Sequence, residues 1–292
     1  MAERLYPEGL GARKFGSLNE NTQQLVLAIL GKGEPEDPHI GHMARNLRVS
    51  EGIVDAADSL FHESGLLGTW QEYFWLITHV CLPIFHDESA KHCQRVREII
   101  VMLRRLIERH GLVNIPDYGI QEFRRVRETF IPLDDSDWDD ITYAGEDHDV
   151  GKMGYEPEFW AWNGLFTQAQ KEARKAHPRL AFPLGEMFGV PLRATALFLF
   201  HHFLNLHYPS NGYILMFQRF LQDPKFLQML SILIMADCFD GMRGPRAYRS
   251  GVLSFEQVMK WIVKELGEIG PGMLPLLWAC HETGELGELY VN

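Results

Sequence analysis

Phe255, Val258, Met259, Ile262, Val263 and Leu266 recur at intervals of three and four, the spacing that lines one face of an α-helix. Ser254, with Gln257 three residues on, opens the run as a capping box, and Gly267 closes it. Thr167 and Gln170 repeat the opening pattern ahead of Lys171–Ala176. Helical periodicity of this kind recurs along the chain, and no alternating apolar run bounded by hairpin turns interrupts it, so the predicted fold class is all-α. With 292 residues, 46% of them hydrophobic, the chain can bury a core without disulfide staples. Disordered, collagen-like and small disulfide-scaffold classes are excluded.

Residues 1–70 hold short helical stretches near Asn19–Leu30 and Ser50–His62, separated by glycine- and proline-rich connections such as Gly31–Pro38. They read as a small helical accessory or regulatory domain, and 71–292 as the catalytic-sized domain. Within the latter, Val96, Ile99, Ile100, Leu103, Leu106 and Ile107 mark the buried face of a helix over Asp87–His110. Leu192–Asn205 and Phe226–Met242 are strongly apolar helices. The acidic run Asp134–Asp140 lacks the glycine and distal glutamate of a calcium loop and reads as a solvated loop.

The formal charge is −11, so no broad basic surface is expected to coat a nucleic-acid polymer. A local cationic pocket for a small anion is compatible with that total. Cys81, Cys93, Cys238 and Cys280 form no Cys-x-x-Cys pair, which points to neither a disulfide framework nor a zinc knuckle and fits a reducing cytoplasm. The N-terminus lacks a signal-peptide layout. The most apolar run, Tyr73–Phe85, has 13 residues, short of the roughly 20 that span a bilayer, and reads as a buried core helix. No membrane span is expected.

Thirteen histidines are present. His39, His42, His62, His79, His86, His110, His207 and His281 default to surface or satisfied core positions. The other five lie beside carboxylates in an ordered series. Glu88 and His92 sit four residues apart and project from the apolar face of their helix, where both are costly unless something binds them. His148 and Asp149 are adjacent, able to offer nitrogen and oxygen to two metals, and Lys152 places a cation three residues beyond the aspartate to meet a phosphate or leaving oxygen. His177 follows the capped helix, His201-His202 closes the Leu192 helix, and Asp237 stands among Ile232, Leu233, Ile234 and Met235, where an ionised group needs a charge partner.

Taken in order, these segments resemble the HD-GYP family of the HD phosphohydrolase superfamily over about residues 85–280. Glu88-Ser-Ala-Lys-His92 resembles the family's opening E-x-x-x-H, and His148-Asp149-Val-Gly-Lys152 its HD-x-G-K. Leu165-Phe-Thr167 followed by His177-Pro178 is similar to its segment leading to a histidine ligand, and His201-His202 to its histidine pair. Ala236-Asp237-Cys-Phe-Asp240 running into Arg246-Ala-Tyr248-Arg249 resembles its A-D-x-x-D-A…R-P-Y-R block.

The resemblance implies an HD-type helical bundle around a bi- or trinuclear centre of divalent metals, iron first and manganese second, that hydrolyses cyclic di-GMP to pGpG or GMP. The implied ligands are Glu88, His92, His148, Asp149, His177, His201, His202 and Asp237, Glu88 being the residue that lets family members hold a third metal. Asp149 would bridge the metals, Lys152, Arg246 and Arg249 would meet substrate phosphates, and Asp240 would support the site.

The segment that names the family departs from its pattern. Phe203 replaces the glutamate after the histidine pair, and the closing tyrosine falls either on Tyr208, with Pro209, or on Tyr213, with Asn211-Gly212 before it. The stretch from His202 to Asp237 is longer than the family shows. Tyr208 is carried as a substrate-binding candidate on the first alignment. Two further expectations therefore stand beside the phosphodiesterase: a cyclic di-GMP sensor or protein-interaction module without useful turnover, its signalling partner engaged through the N-terminal domain, and an HD hydrolase of another phosphoester.

Overall fold

The computed structural model of the chain describes residues 20–29, 33–49, 79, 82–115, 128–161, 166–187, 189–202, 211–244, 253–266 and 274–290. Every regular element among them is helical, in accord with the all-α expectation. In chain order the α-helices are α1 (Glu20–Ile29), α2 (Pro38–Val49), α3 (Leu82–His110), α4 (Asp135–Asp147), α5 (Pro157–Ala161), α6 (Gln168–Arg174), α7 (His177–Met187), α8 (Leu192–Phe200), α9 (Asn211–Met216), α10 (Gln218–Leu221), α11 (Pro224–Arg243), α12 (Phe255–Leu266), α13 (Leu274–Glu282) and α14 (Glu285–Glu288). Short 3-10 turns lie at Leu112–Asn114 and Val150–Gly154.

The chain divides into two compact units, neither continuous in sequence: Met1–Lys91 with Asp147–Leu199, and His92–Glu146 with Phe200–Asn292. Helices α1 and α2, from the stretch read as an accessory domain, pack on α7 and on the 150–154 turn. Their short apolar faces, with Leu25, Ile40, Met43 and Leu47 fully buried, are too small to form a core of their own. Polar contacts tie them down: Asn46 Nδ2 donates to the Met153 carbonyl at 2.7 Å, and Thr22 Oγ1 to Glu186 Oε2 at 2.7 Å.

In the first unit a glycine decides how closely two pieces meet. A Cβ on Gly151 would stand 2.0 Å from the His177 carbonyl oxygen and 2.7 Å from the Ala181 nitrogen, so only a residue without a side chain lets the 150–154 turn lie against α7. Thr167 caps α6 through the expected capping box with Gln170.

In the second unit α11 is buried nearly all round, from Phe226 to Asp240, and starts at Pro224 because Asp223 accepts from the Lys225 N–H and proline suits the first helical turn. Helix α12 buries Phe255, Val258, Met259 and Ile262, as its spacing predicts, behind the reciprocal Ser254–Gln257 cap. The acidic run is not a solvated loop but the start of α4. Asp134 and Asp137 cap each other's backbone N–H, and the fully buried Asp137 carboxylate is neutralised by Lys225. Carboxylates in a first turn are favoured by the helix dipole, which a reading by acidity alone overlooks.

Candidate functional site

The first unit collects His86, Ser89, His148, Asp149, Lys152, Trp160 and His177. Asp149 ends α4's connection to the 150–154 turn, whose tight 3-10 winding brings Lys152 back so that its ammonium donates to Asp149 Oδ2 and, at 3.3 Å, to Ser89 Oγ. His177, the first residue of α7, has Nδ1 2.7 Å from the Arg174 carbonyl and Nε2 3.0 Å from Asp149 Oδ1. Both ring nitrogens thus face acceptors, the Arg174 carbonyl and the Asp149 carboxylate, which holds the imidazole in one orientation. His148 Nε2 lies 3.7 Å from Asp149 Oδ2. His148, Asp149 and His177 are all buried, with 1–4% of their surface exposed. Burial pushes the Asp149 carboxyl up, but Lys152, His148 and His177 outweigh it and hold it well below the usual carboxylate range.

Trp160 walls this cluster. Lys152 Nζ sits 4.8 Å and the Arg174 guanidinium 5.0 Å from its ring centre, while His177 and His86 meet the ring edge-on at 5.6 and 6.2 Å. His86 departs from its default reading. It is buried at a kink in α3 (φ −151°, ψ 71°), and its Nε2 has no hydrogen-bond partner among the described residues. Burial, with Lys152 adding and Asp149 opposing, lowers its pKa to about 4. Spacing gave no sign of this, because the residue lies outside the regular part of the helix.

The second unit holds His92, Asp237, Asp240, His201 and His202. The buried His92 stands between two carboxylates of α11, its Nε2 2.9 Å from Asp237 Oδ1 and its Nδ1 2.6 Å from Asp240 Oδ2. His92 is thus the hydrogen-bond partner of both carboxylates. Asp240 is wholly buried and also accepts from Arg95 Nε at 2.6 Å, Arg95 Nη2 at 3.1 Å and the Tyr290 hydroxyl at 2.8 Å. Burial opposes ionisation, yet His92 and Arg95 pull its pKa down to about 2. At least four hydrogen bonds thus reach the Asp240 carboxylate. His201 is fully buried and His202 half-buried in the turn after α8, their ring centres 4.1 Å apart.

Glu88 departs from the expectation that it shares the buried face of His92: it is exposed, and Ser89 takes the inward position. Ser89, His92, Cys93 and Val96 define the stripe one turn from the kink, and Glu88 falls a residue's rotation outside it. Tyr208, Arg246 and Arg249, with the whole 203–210 segment, lie outside the described residues. Tyr213 is half-buried in α9. The sequence reading missed Arg95 and Tyr290, which no spacing rule connects to Asp240.

Among the described residues, buried histidine and aspartate side chains could hold a metal ion. Imidazole nitrogens and carboxylate oxygens make up most of these donors, and the buried Cys93 sulfur is a further one. Cys238 is no thiolate competitor, because burial and the neighbouring Asp237 push its thiol well above the usual range. Among the described residues no helix is long and apolar enough to cross a membrane. Comparison of the chain with family models, curated proteins and solved structures returns no match.

Proposed function

We propose that this protein is a metal-dependent phosphodiesterase of the HD-GYP type, with an HD-type helical bundle, acting on cyclic di-GMP or a related phosphoester in cytoplasmic second-messenger signalling. The observation that carries the reading is the buried Asp149, ionised and flanked by His148, His177 and the Lys152 ammonium. A purely structural ion gains nothing from a cation at that place, whereas charge developing on a phosphoester does.

The ligand set is that implied by the resemblance: His92, His148, Asp149, His177, His201, His202 and Asp237, with Glu88 open to solvent as the member for a third ion. These residues would hold iron or manganese, which when bound would supply a nucleophile at neutral pH and offset charge on the phosphoester oxygens. The protein's own groups do the positioning. Asp149 stays ionised without a proton to lose, and His177 is locked by Arg174 with Nε2 facing it. Lys152, 10% exposed at its side chain, can exchange its bond to Asp149 or Ser89 for a phosphate or leaving oxygen. Arg246 and Arg249 complete the phosphate contacts by resemblance. The replacement of the family's glutamate by Phe203 favours a second reading, a cyclic di-GMP sensor or interaction module without turnover.

The test is product analysis of cyclic di-GMP incubated with anaerobically purified, iron- or manganese-loaded protein beside a His148→Ala/Asp149→Ala variant. The expected result is pGpG or GMP from the intact chain alone, with metal and hydrolysis lost together in the double variant. Metal content surviving in that variant refutes the ligand assignment. No product at full occupancy transfers the reading to the sensor or to another phosphoester.

A further inference from the structure

Asp240 has a geometry that its place in the site does not require by itself. Its two oxygens share at least four donors: Oδ2 takes His92 Nδ1 at 2.6 Å and Arg95 Nη2 at 3.1 Å, and Oδ1 takes Arg95 Nε at 2.6 Å and the Tyr290 hydroxyl at 2.8 Å. A carboxylate gripped bidentately by one guanidinium and braced by a hydroxyl cannot rotate about its terminal bond without breaking at least one contact. The lone pair facing His92 is consequently held in one direction.

Tyr290 is brought there by α11 itself. Its ring meets Phe239 edge-on at 6.2 Å, and the Arg243 guanidinium lies 5.5 Å from its centre, so residues 239, 240 and 243 of one helix turn hold ring and hydroxyl together. On the other side of the relay, His92 Nδ1 is committed to Asp240, which leaves Nε2 beside Asp237 Oδ1 at 2.9 Å. Two donor atoms so close can serve one cation, and a carboxylate behind a ligating imidazole both fixes its tautomer and raises its basicity.

We propose that Tyr290 and Arg95 are positioning residues for His92, acting through Asp240 to keep its Nδ1 donating and so to aim its Nε2 at the place where Asp237 would hold a cation. The metal-binding half of this rests on the reading above, while the fixed Nδ1–H bond to Asp240 stands on geometry alone. Loss of such an outer partner costs metal affinity about 10- to 100-fold. We expect the upper part of that range for Asp240→Asn and the lower part for Tyr290→Phe, which leaves the arginine brace in place.

The experiment uses the full chain and two readouts. Nitrogen-15 NMR of the metal-free protein reports the ring protonation of His92, and Co²⁺ titration followed by the visible spectrum reports affinity and ligand field. The expected result is a slowly exchanging Nδ1–H on His92 in the intact protein that exchanges faster in Tyr290→Phe, with weaker Co²⁺ binding and an altered spectrum in that variant. A role of Tyr290 confined to docking the chain end would lower thermal stability and leave the His92 signal and the cobalt spectrum unchanged, and that result overturns the proposal. An intact protein that binds no Co²⁺ defeats the metal reading, and the NMR arm then decides the relay by itself. Should Asp240→Asn fail to fold, Tyr290→Phe keeps the ring packed on Phe239 and carries the test.

Discussion

A carboxylate with 2% of its surface exposed, as at Asp149, stays ionised only because Lys152 and two imidazoles repay its lost hydration. His86 is the opposite case, a buried base beside that same lysine with no partner for Nε2 among the described residues. The unfolded chain takes up a proton on this ring near the ordinary histidine pKa of about 6.5, and the folded protein resists until about 4. Between those values the unfolded state binds more protons, so stability falls as pH falls through the window, by up to about 3 kcal/mol. His86→Gln should flatten that part of the profile by roughly one proton's slope. Urea unfolding of the two metal-free proteins at intervals from pH 7 to 4 measures it, and parallel profiles would exclude the buried neutral histidine.

At the scale of elements, the tightest constraint is the contact between the 150–154 turn and α7. Gly151→Ala would drive a methyl into backbone atoms at 2.0 and 2.7 Å, which no rotamer change relieves. The expected cost is about 3 kcal/mol or more, at the upper end for overpacking, and a shift of Lys152 and His177 apart. Chemical denaturation checks the first, and loss of the His177 ring contact with Trp160 in tryptophan fluorescence checks the second. A variant as stable as the parent would show that the turn can stand away from α7. The caps behave as their residue types demand: Thr167–Gln170 and Ser254–Gln257 both close reciprocally, because a hydroxyl followed three residues later by an amide fits the first helical turn and nothing else local competes. The acidic start of α4 escaped notice because its carboxylates are judged by where the helix begins and by Lys225, 88 positions from Asp137 in the chain.

For the whole molecule, two units each assembled from separated segments mean that neither can be cut from the chain at a single point. Ligand binding should therefore register in the global unfolding transition. Mn²⁺ or Fe²⁺ at 100 times its dissociation constant is expected to stabilise the native state by about 3 kcal/mol and raise the melting temperature, with chelator reversing the shift. Calorimetry with and without chelator is the measure, and an unchanged transition would argue against any resident ion. The all-α class, the helix of Phe255–Leu266 and the burial of Val96, Ile99, Ile100 and Leu103 were legible because periodicity and capping are local properties of the chain. His148, Asp149, Lys152 and His177 were singled out by residue type and spacing, and the fold brings their side chains together. The sequence by itself thus determined helix content, helix faces and the residue types able to ligate a metal. Only the tertiary structure decided that α1 and α2 join the unit of His148, that Ser89 rather than Glu88 turns inward, and that Arg95 and Tyr290 converge on Asp240 behind His92. Those outcomes depend on which surfaces meet across tens to hundreds of residues, and hydrogen-bond partners at such separation leave no periodic trace in the chain.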